Sequence, residues 1–366
     1  MILSMIETFF ELLQISVGRR DRLTSAPSSE EWRMLLNIAK EQAVVGICRA
    51  ALEKLPKCQW PPRMIILEWS AVCRKIELNN GKLNKAAVAV SKWFGRKGFC
   101  SCILKGQGNA LMYPNHAMRM PGDIDIWTGG GCRRVIAFAR KNGIRGKAYY
   151  HHIEWEPYGD VEVEVHYRPS FMFNPINNCR LQKWFRQNSA VQFSNTVDLP
   201  DGTGSIAVPV FEFNVVFQLV HLSNHFFHEG IGLRQFVDYY FLLRGNKDGV
   251  SDLMFKSGLE ERLSHFGLRN FAGAVMWVLG RVFLLEEEYM ITAPDKKRGL
   301  LLLAEIMEGG NFGKYDKRVL SGAQTGFIRH NLARLYRDVR LCRLFPSECL
   351  WEPCFRCWHI IWRCFH

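Results

Sequence analysis

Residues 161–167, VEVEVHY, alternate apolar and polar side chains, which is the pattern of a half-buried β-strand. The alternation places Glu162, Glu164 and His166 on one face of the strand and the three valines on the other. The sequence therefore predicts a strand whose polar face carries two carboxylates and an imidazole.

The stretch before it, YYHHIEWEP, predicts an antiparallel partner strand that is joined to the first through Tyr158 to Asp160. His151 and His152 are adjacent in this stretch, and adjacent strand residues face opposite sides of a sheet. We therefore expect at most one of these two histidines to face the same side as Glu164.

Asp123 and Asp125 lie in another alternating segment, DIDIW, and share one face of a strand, while Ile124 and Ile126 face a core. Along a strand the two carboxylates are about 6 to 7 Å apart. Carboxylates this close repel each other, and a divalent cation that shares their oxygens relieves the repulsion. The segment thus predicts a site for Mg²⁺ or Mn²⁺.

Upstream of DIDIW, an apolar strand ends at a turn that contains Lys105, Gly106 and Gly108. Glycines in such a turn let backbone N–H groups approach a polyphosphate closely, and Lys105 adds a positive charge. Arg168, just past the VEVEVHY strand, is a candidate phosphate clamp because a guanidinium binds phosphate in bidentate fashion. Taken singly, the glycine turn and the Asp-x-Asp segment are equally compatible with structural roles.

Helical patterns occupy the chain on both sides of these strands. Ser28 and Glu31 form a capping-box pattern before an apolar helical stripe. Pro61 and Pro62 open a longer helical stretch, which we expect to be broken or kinked around residues 79–81 because Asn-Asn-Gly is a poor helix former.

In the later helical part, His221, His225 and His228 fall on one helix face at positions i, i+4 and i+7. The zinc-protease pattern is excluded, because the glutamate of His-Glu-x-x-His is missing. Two interpretations stay open: a metal site completed by Glu229 or Asp238, and buried histidines that are satisfied by hydrogen bonds.

Strands confined to the middle of the chain, with helices at both ends, predict an α+β fold with a small mixed sheet flanked by helical regions. The predicted boundaries are 1–97 for an N-terminal helical region, 98–205 for the sheet region, 206–345 for a C-terminal helical domain and 346–366 for an aromatic tail.

Near the C-terminus, arginines recur every three residues on one side of a helix predicted at about 326–345: Arg334, Arg337, Arg340 and Arg343. Such a helix suits RNA, an anionic membrane or solvent, and we take solvated surface as the default. The tail contains a single CxxC without a second pair at zinc-finger spacing, and its tryptophans and arginines also suit a bilayer interface. We expect the tail to pack as an aromatic segment on the helical domain.

Composition narrows the class of protein. The 366 residues suffice for two or three domains, and the net charge of +13 suits either RNA or a nucleoside triphosphate. The twelve cysteines are scattered, no secretory signal precedes them, and no apolar run of about 18 residues occurs. We therefore expect free thiols in a reducing cytoplasm and no transmembrane segment.

Several of these motifs occur together in one known group of proteins. The matching segments are LKG at 104–106, Tyr113 with Pro114, Arg119, GDIDIW at 122–127, and Glu164-x-His166 followed by an aromatic residue. They resemble a large, poorly characterised bacterial group of the nucleotidyltransferase superfamily, whose fold is shared with DNA polymerase beta. The turn reads Gly-Gln-Gly-Asn where the superfamily commonly has Gly-Ser, so a hydroxyl that commonly contacts phosphate is missing.

The resemblance implies a nucleotidyltransferase palm over residues 98–205 and transfer of a nucleoside monophosphate from a triphosphate to a hydroxyl, with release of pyrophosphate. It implies that Asp123, Asp125 and Glu164 hold Mg²⁺ or Mn²⁺, with Glu162 as the fallback for the third carboxylate. The implied substrate-binding residues are Lys105, Gly106, Gly108, Arg119, His166, Arg168, His225 and Arg234.

The acceptor stays open: a small molecule, a protein side chain or an RNA end would use the same carboxylates. Two alternatives to the enzyme also remain. One is a non-catalytic nucleotide-binding module that keeps the palm fold, and the other is a basic RNA-binding protein whose carboxylates are structural. For Arg234, the structural alternative is an ion pair with Asp238, four residues further along the helix.

Overall fold

The computed structural model describes residues 2–156, 159, 161–245, 253–316 and 327–365. Helices precede the sheet: α1 (Ile2–Ser16), α2 (Ser29–Glu41), α3 (Val45–Lys54) and α4 (Arg63–Arg96). The predicted capping box begins α2, where the Ser28 hydroxyl accepts from the Glu31 N–H and the Glu31 carboxylate accepts from the Ser28 N–H. This reciprocal pair satisfies two of the N–H groups that a helix start leaves free.

The predicted break around residues 79–81 was wrong, because α4 continues through them as a single helix of 34 residues. The Asn80 amide donates to the carbonyl oxygens of Ala117 and Arg119, at 2.7 and 2.8 Å. The helix therefore gains a tertiary anchor at its weakest point, and the same anchor holds the loop that leads to the aspartate strand.

The sheet contains β1 (Ser101–Ile103), β2 (Ile124–Thr128), β3 (His152–Trp155) and β4 (Val163–His166), in the order β1-β2-β4-β3. β2 is antiparallel to β1 and parallel to β4, and β3 is antiparallel to β4. This small mixed sheet with helices on either side confirms the predicted α+β class. Of the connection predicted at Tyr158 to Asp160, only Gly159 is among the described residues.

One face of the sheet is apolar and is covered by α4 and α6 (Gly131–Lys141). The buried side chains there are Leu83, Ala87, Val90 and Phe94 from α4, Val135 and Ala139 from α6, and Ile124, Ile126, Val163 and Val165 from the strands. Because side chains alternate along a strand, the carboxylates and imidazoles of β2, β3 and β4 are left on the opposite face.

The elements between the sheet and the later helices are α5 (Gln107–Ala110), α7 (Pro175–Gln187), α8 (Ser189–Ser194) and the hairpin of β5 (Thr196–Leu199) and β6 (Gly204–Ala207). The remaining helices are α9 (Phe211–His228), α10 (Leu233–Gly245), α11 (Leu253–His265), α12 (Arg269–Phe283), α13 (Lys296–Gly309), α14 (Phe327–Cys342) and α15 (Pro346–Arg363). They share a second, larger core with the N-terminal helices. None of the described helices has both the length and the apolar character needed to cross a bilayer.

The predicted row of Arg334, Arg337, Arg340 and Arg343 is not solvated throughout, so that default was wrong for three of the four. Arg334 pairs with Glu352 at 2.8 Å, Arg340 pairs with Glu305 at 2.7 Å, and Arg337 donates to the backbone carbonyl of Phe226. Only Arg343 of this group is exposed. Most of the positive charge of this face is therefore bound to groups of the protein itself.

The aromatic tail forms α15, which packs on α14 and α9 and also reaches the loops beside the sheet. Phe355 stacks on Phe171 with ring centroids 4.8 Å apart, and the His359 imidazole accepts from the Tyr150 N–H at 3.0 Å. Within the described residues, none of the tail's cysteines or histidines belongs to a group that could hold a metal ion, and His366 lies outside them.

Candidate active site

The polar face of the sheet brings residues from three strands together. In the parallel register of β2 and β4, Asp125 lies opposite Glu164. In the antiparallel register of β4 and β3, Glu164 lies opposite Glu154, and His166 lies opposite His152. The alternation read from the sequence therefore places the predicted carboxylates side by side.

His166 lies between the two central carboxylates. Its Nε2 is 3.0 Å from Asp125 Oδ1 and 3.1 Å from Glu164 Oε2, and its Nδ1 is 3.2 Å from the Arg168 carbonyl oxygen. Burial disfavours the charged imidazole, but the hydrogen bonds to Asp125 and Glu164 outweigh it and raise the pKa of His166 to about 9. An imidazolium with both nitrogens donating fits all three contacts.

Lys105 approaches the same carboxylates from the end of β1. Its Nζ is 3.2 Å from Asp125 Oδ2, 3.9 Å from Asp123 Oδ1 and 3.3 Å from the Nε2 of His221. Burial opposes the charge of this ammonium, yet Asp123 and Asp125 raise its pKa. Burial would likewise raise the pKa of Asp125, but Lys105 and His166 hold it below its ordinary value. Lys105, Asp125 and His166 are thus ionised and mutually paired.

The glycines of the turn differ in what they do. Gly106 has φ +68°, a conformation that residues with a side chain rarely adopt, and a Cβ there would lie 3.7 Å from the Asp123 carbonyl oxygen. Gly108 faces away from the carboxylates, since a Cβ there would lie 2.8 Å from a methyl group of Val208. Gly106 therefore shapes the turn beside the aspartates, and Gly108 permits close packing behind it.

Arg119 and Arg234 lie behind the loop that precedes β2. The Arg119 guanidinium binds both oxygens of Asp238, at 2.8 and 2.7 Å, and the Tyr113 hydroxyl donates to Asp238 Oδ1 at 2.7 Å. Asp238 therefore pairs with Arg119 and not with Arg234. Arg234 instead donates to the Pro121 carbonyl oxygen at 3.2 Å. Both arginines support the backbone that leads to Asp123.

Arg168 faces a neighbouring groove. Its guanidinium lies over the Tyr150 ring, 4.3 Å from the centroid, and donates to the Tyr150 carbonyl. The groove beside it is also lined by Trp351 and Trp358 of α15. Arg168 therefore does not reach the carboxylates directly.

Helix α9 forms the wall opposite the sheet. The Nε2 atoms of His221 and His225 are 3.0 Å apart, and the Nδ1 of His225 is 3.5 Å from Glu229 Oε2. The hydrogen bond with His225 lowers the pKa of Glu229 to about 2, against the effect of burial. His228 turns toward Arg334 and lies 3.5 Å from Glu352, so the three histidines of this face do not converge on one point.

Between these walls lies a cavity of about 530 Å³, a volume typical of small-molecule sites. Lys105, Asp123, Asp125, Glu164 and His166 line one side, and α9 lines the other. The predicted carboxylates Asp123, Asp125 and Glu164 therefore lie together on one wall of this cavity.

Both His151 and His152 line this cavity, whereas the sequence led us to expect at most one. The difference arises because β3 begins at His152, so strand alternation does not apply to His151, which lies in the preceding bend. Burial lowers the pKa of both imidazoles, most strongly that of His151. Sequence reasoning also missed Phe312 and His359, which reach the cavity from distant parts of the chain without any local motif.

The donor set fits a divalent cation. Asp125, Glu164 and His166 offer ligand atoms that all lie within 4.8 Å of one another. Asp125 Oδ2 is buried and has no aligned hydrogen-bond donor among the described residues, although Lys105 lies within ion-pair distance. Asp123, at the mouth of the group, keeps about a quarter of its side chain exposed. Carboxylate oxygens of this kind are the protein ligands that Mg²⁺ and Mn²⁺ prefer.

Comparison with known proteins gives one positive result. The model of a family described as "uncharacterised nucleotidyltransferase" matches residues 28–283, which is more than half of the chain. The match begins at the cap of α2, includes the whole sheet and ends with α12. No curated protein and no solved structure matches the chain significantly.

Proposed function

Since the chain belongs to this uncharacterised nucleotidyltransferase family, we propose that it transfers a nucleoside monophosphate from a nucleoside triphosphate to a hydroxyl acceptor and releases pyrophosphate. The observation that carries this proposal is the pairing of Asp125 with Glu164 across two parallel strands, beside Lys105 and Asp123, on the wall of one cavity.

Asp123, Asp125 and Glu164 are the residues that would hold Mg²⁺ or Mn²⁺. When bound there, the cation supplies charge neutralisation for the triphosphate and activation of the acceptor oxygen. Glu164 is preferred to Glu162 as the third carboxylate, because Glu164 lies opposite Asp125 and lines the cavity while Glu162 is exposed.

The chain's own residues supply the rest of the site. Lys105 presents an ammonium toward the cavity, where it can pair with phosphate oxygens, and Gly106 keeps the backbone close to them. His166 and His225 line the cavity and can contact the nucleotide or the acceptor. We assign Arg119, Arg234 and Gly108 to supporting the turn and the loop, since each is engaged behind the cavity.

Nucleotide binding by matched carboxylate variants tests the proposal. Each of the four ribonucleoside triphosphates is titrated calorimetrically into the wild-type chain, Glu164→Gln and Glu162→Gln, with Mg²⁺, with Mn²⁺ and with a chelator. The two variants remove the same charge from neighbouring positions, and circular dichroism checks that both remain folded. We expect cation-dependent binding of at least one triphosphate in the wild type and in Glu162→Gln, and its loss in Glu164→Gln.

Equal affinities in all three chains, with or without a cation, would contradict the catalytic assignment and favour the non-catalytic binding module. A second measurement then addresses transfer. The preferred triphosphate, labelled on its α- or its γ-phosphate, is incubated with small-molecule, protein and RNA fractions. Nucleotidyl transfer predicts that only the α-label enters an acceptor and that γ-label leaves with pyrophosphate.

A further inference from the structure

A cluster of three imidazoles lies next to the carboxylates. His151, His152 and His166 each offer a nitrogen, and these nitrogens all lie within 4.8 Å of one another. The ring of His151 is centred 4.4 Å from that of His152 and 5.3 Å from that of His166, and the rings of His152 and His166 are 5.2 Å apart. Three imidazoles therefore converge on one small volume of the cavity wall.

The backbone fixes two of the three. His152 and His166 are register partners on β3 and β4, so their positions are set by the sheet. His151 is joined to the cluster by a contact of 3.0 Å between its Nε2 and the Nδ1 of His152. Its own Nδ1 is buried and has no hydrogen-bond partner among the described residues. Burying this ring nitrogen without a partner costs free energy, and the hydrogen bond between His151 and His152 does not recover that cost.

A carboxylate completes the set. Glu164 Oε1 lies 3.5 Å from His152 Nε2, and Glu164 Oε2 lies 3.1 Å from His166 Nε2. A metal ion that displaces the proton of His166 would meet three neutral imidazoles and one carboxylate, a ligand set that suits Zn²⁺ and related transition-metal ions. Mg²⁺ prefers oxygen ligands and retains its water, so it is a poor match for three nitrogens.

We propose that His151, His152 and His166, with Glu164, form a site for a transition-metal ion of the Zn²⁺ class, separate from the Asp123 and Asp125 end of the cavity wall. The two sites share Glu164, and His166 lies between them in contact with Asp125, which would place two cations on adjacent parts of one polar sheet face. The histidines of α9 do not form such a site, because His228 is directed to Arg334 and Glu352.

Cobalt binding to the full chain tests this site. The purified protein is stripped with a chelator and titrated with Co²⁺, whose visible absorption reports nitrogen ligation at low coordination number. We expect about one Co²⁺ per chain, displaced by stoichiometric Zn²⁺ but not by a large excess of Mg²⁺. His151→Gln and His152→Gln should each weaken Zn²⁺ binding at least tenfold.

Two variants serve as matched controls. His225→Gln removes an imidazole from the facing wall of the same cavity, and Asp123→Asn removes a carboxylate that the cluster does not include; both should keep Zn²⁺ binding within about threefold of wild type. Displacement of Co²⁺ by Mg²⁺, loss in Asp123→Asn with retention in His151→Gln, or no binding at micromolar Co²⁺ would each overturn the proposal. Mg²⁺-dependent nucleotide binding is measured separately on the wild type, so failure of the transferase proposal can be told apart from failure of this one.

Discussion

Replacing Arg119 by methionine is expected to destabilise the folded chain by about 3 to 5 kcal/mol, the typical cost of leaving one charge of a buried ion pair without its partner. Arg119 and Asp238 are only 5% and 6% exposed, and they share two hydrogen bonds of 2.8 and 2.7 Å. In the variant, the Asp238 carboxylate keeps the bond from Tyr113 as its one direct hydrogen bond among those described here. Urea unfolding followed by circular dichroism measures the loss.

A double variant tests whether the loss of stability comes from the unpaired buried charge or from the surrounding packing. Arg119→Met with Asp238→Leu replaces both charges by apolar groups, and its cost should be smaller than that of Arg119→Met alone, because no uncompensated charge remains buried. A single variant that costs less than about 1 kcal/mol, or single costs that simply add in the double variant, would refute the reasoning about burial. Calorimetric nucleotide titration of Arg119→Met addresses the predicted role of Arg119 in phosphate binding. If Arg119 contacted the phosphate directly, the variant would lose nucleotide affinity without a comparable loss of stability.

Three further substitutions give sharp expectations. Burial and the neighbouring charge of Glu352 raise the pKa of Asp338 to about 7 from its ordinary value of 3.8, so the stability of the folded chain falls as the pH rises from about 4 to 7. Asp338→Asn should therefore raise the unfolding temperature at pH 8 more than at pH 5, and equal effects at both would contradict this. Gly81→Ala should stabilise the chain by about 0.5 to 1 kcal/mol in urea unfolding, because the new methyl group meets nothing within 4 Å in a helix interior. Gly46→Ala should instead cost about 3 kcal/mol or more, since its methyl group would overlap the backbone carbonyl of Met118; the opposite ranking of the two alanine variants would refute both.

The face of the strand on which each carboxylate lies could be predicted from the sequence, because it depends on strand alternation alone. DIDIW and VEVEVHY each fix which residues share a face, and their parallel pairing places Asp125 opposite Glu164. The position of Lys105 could be predicted for a similar reason, since it lies two residues past the end of β1, the strand that pairs with β2. Local periodicity therefore predicted which of these side chains share the polar face of the sheet.

The other contributions depend on contacts between distant segments, which local patterns do not contain. His359 and Phe312 reach the cavity from about 190 and 150 residues beyond the sheet, and the partner of Arg119 lies on α10. The unbroken course of α4 through residues 79–81 also depends on contacts between distant segments. Asn and Gly cost up to about 1 kcal/mol each in a helix, whereas burying side chains such as Ile76 and Leu83 on either side contributes about 1.5 to 3 kcal/mol each. Tertiary burial thus outweighs the local preference for a break.

The charges of the cavity wall explain why nucleotide binding should depend on a cation. Asp123, Asp125 and Glu164 present three negative charges, while Lys105 and the imidazolium of His166 present two positive ones. This wall is negative overall and repels a triphosphate, even though the chain as a whole carries a net charge of +13. A divalent cation bound to these carboxylates would reverse the sign of the charge beside the proposed phosphate position, and it would leave Lys105 able to pair with the phosphates. Arg334, Arg337 and Arg340 do not supply positive charge to this wall, because they are bound to carboxylates and a backbone carbonyl of the protein itself.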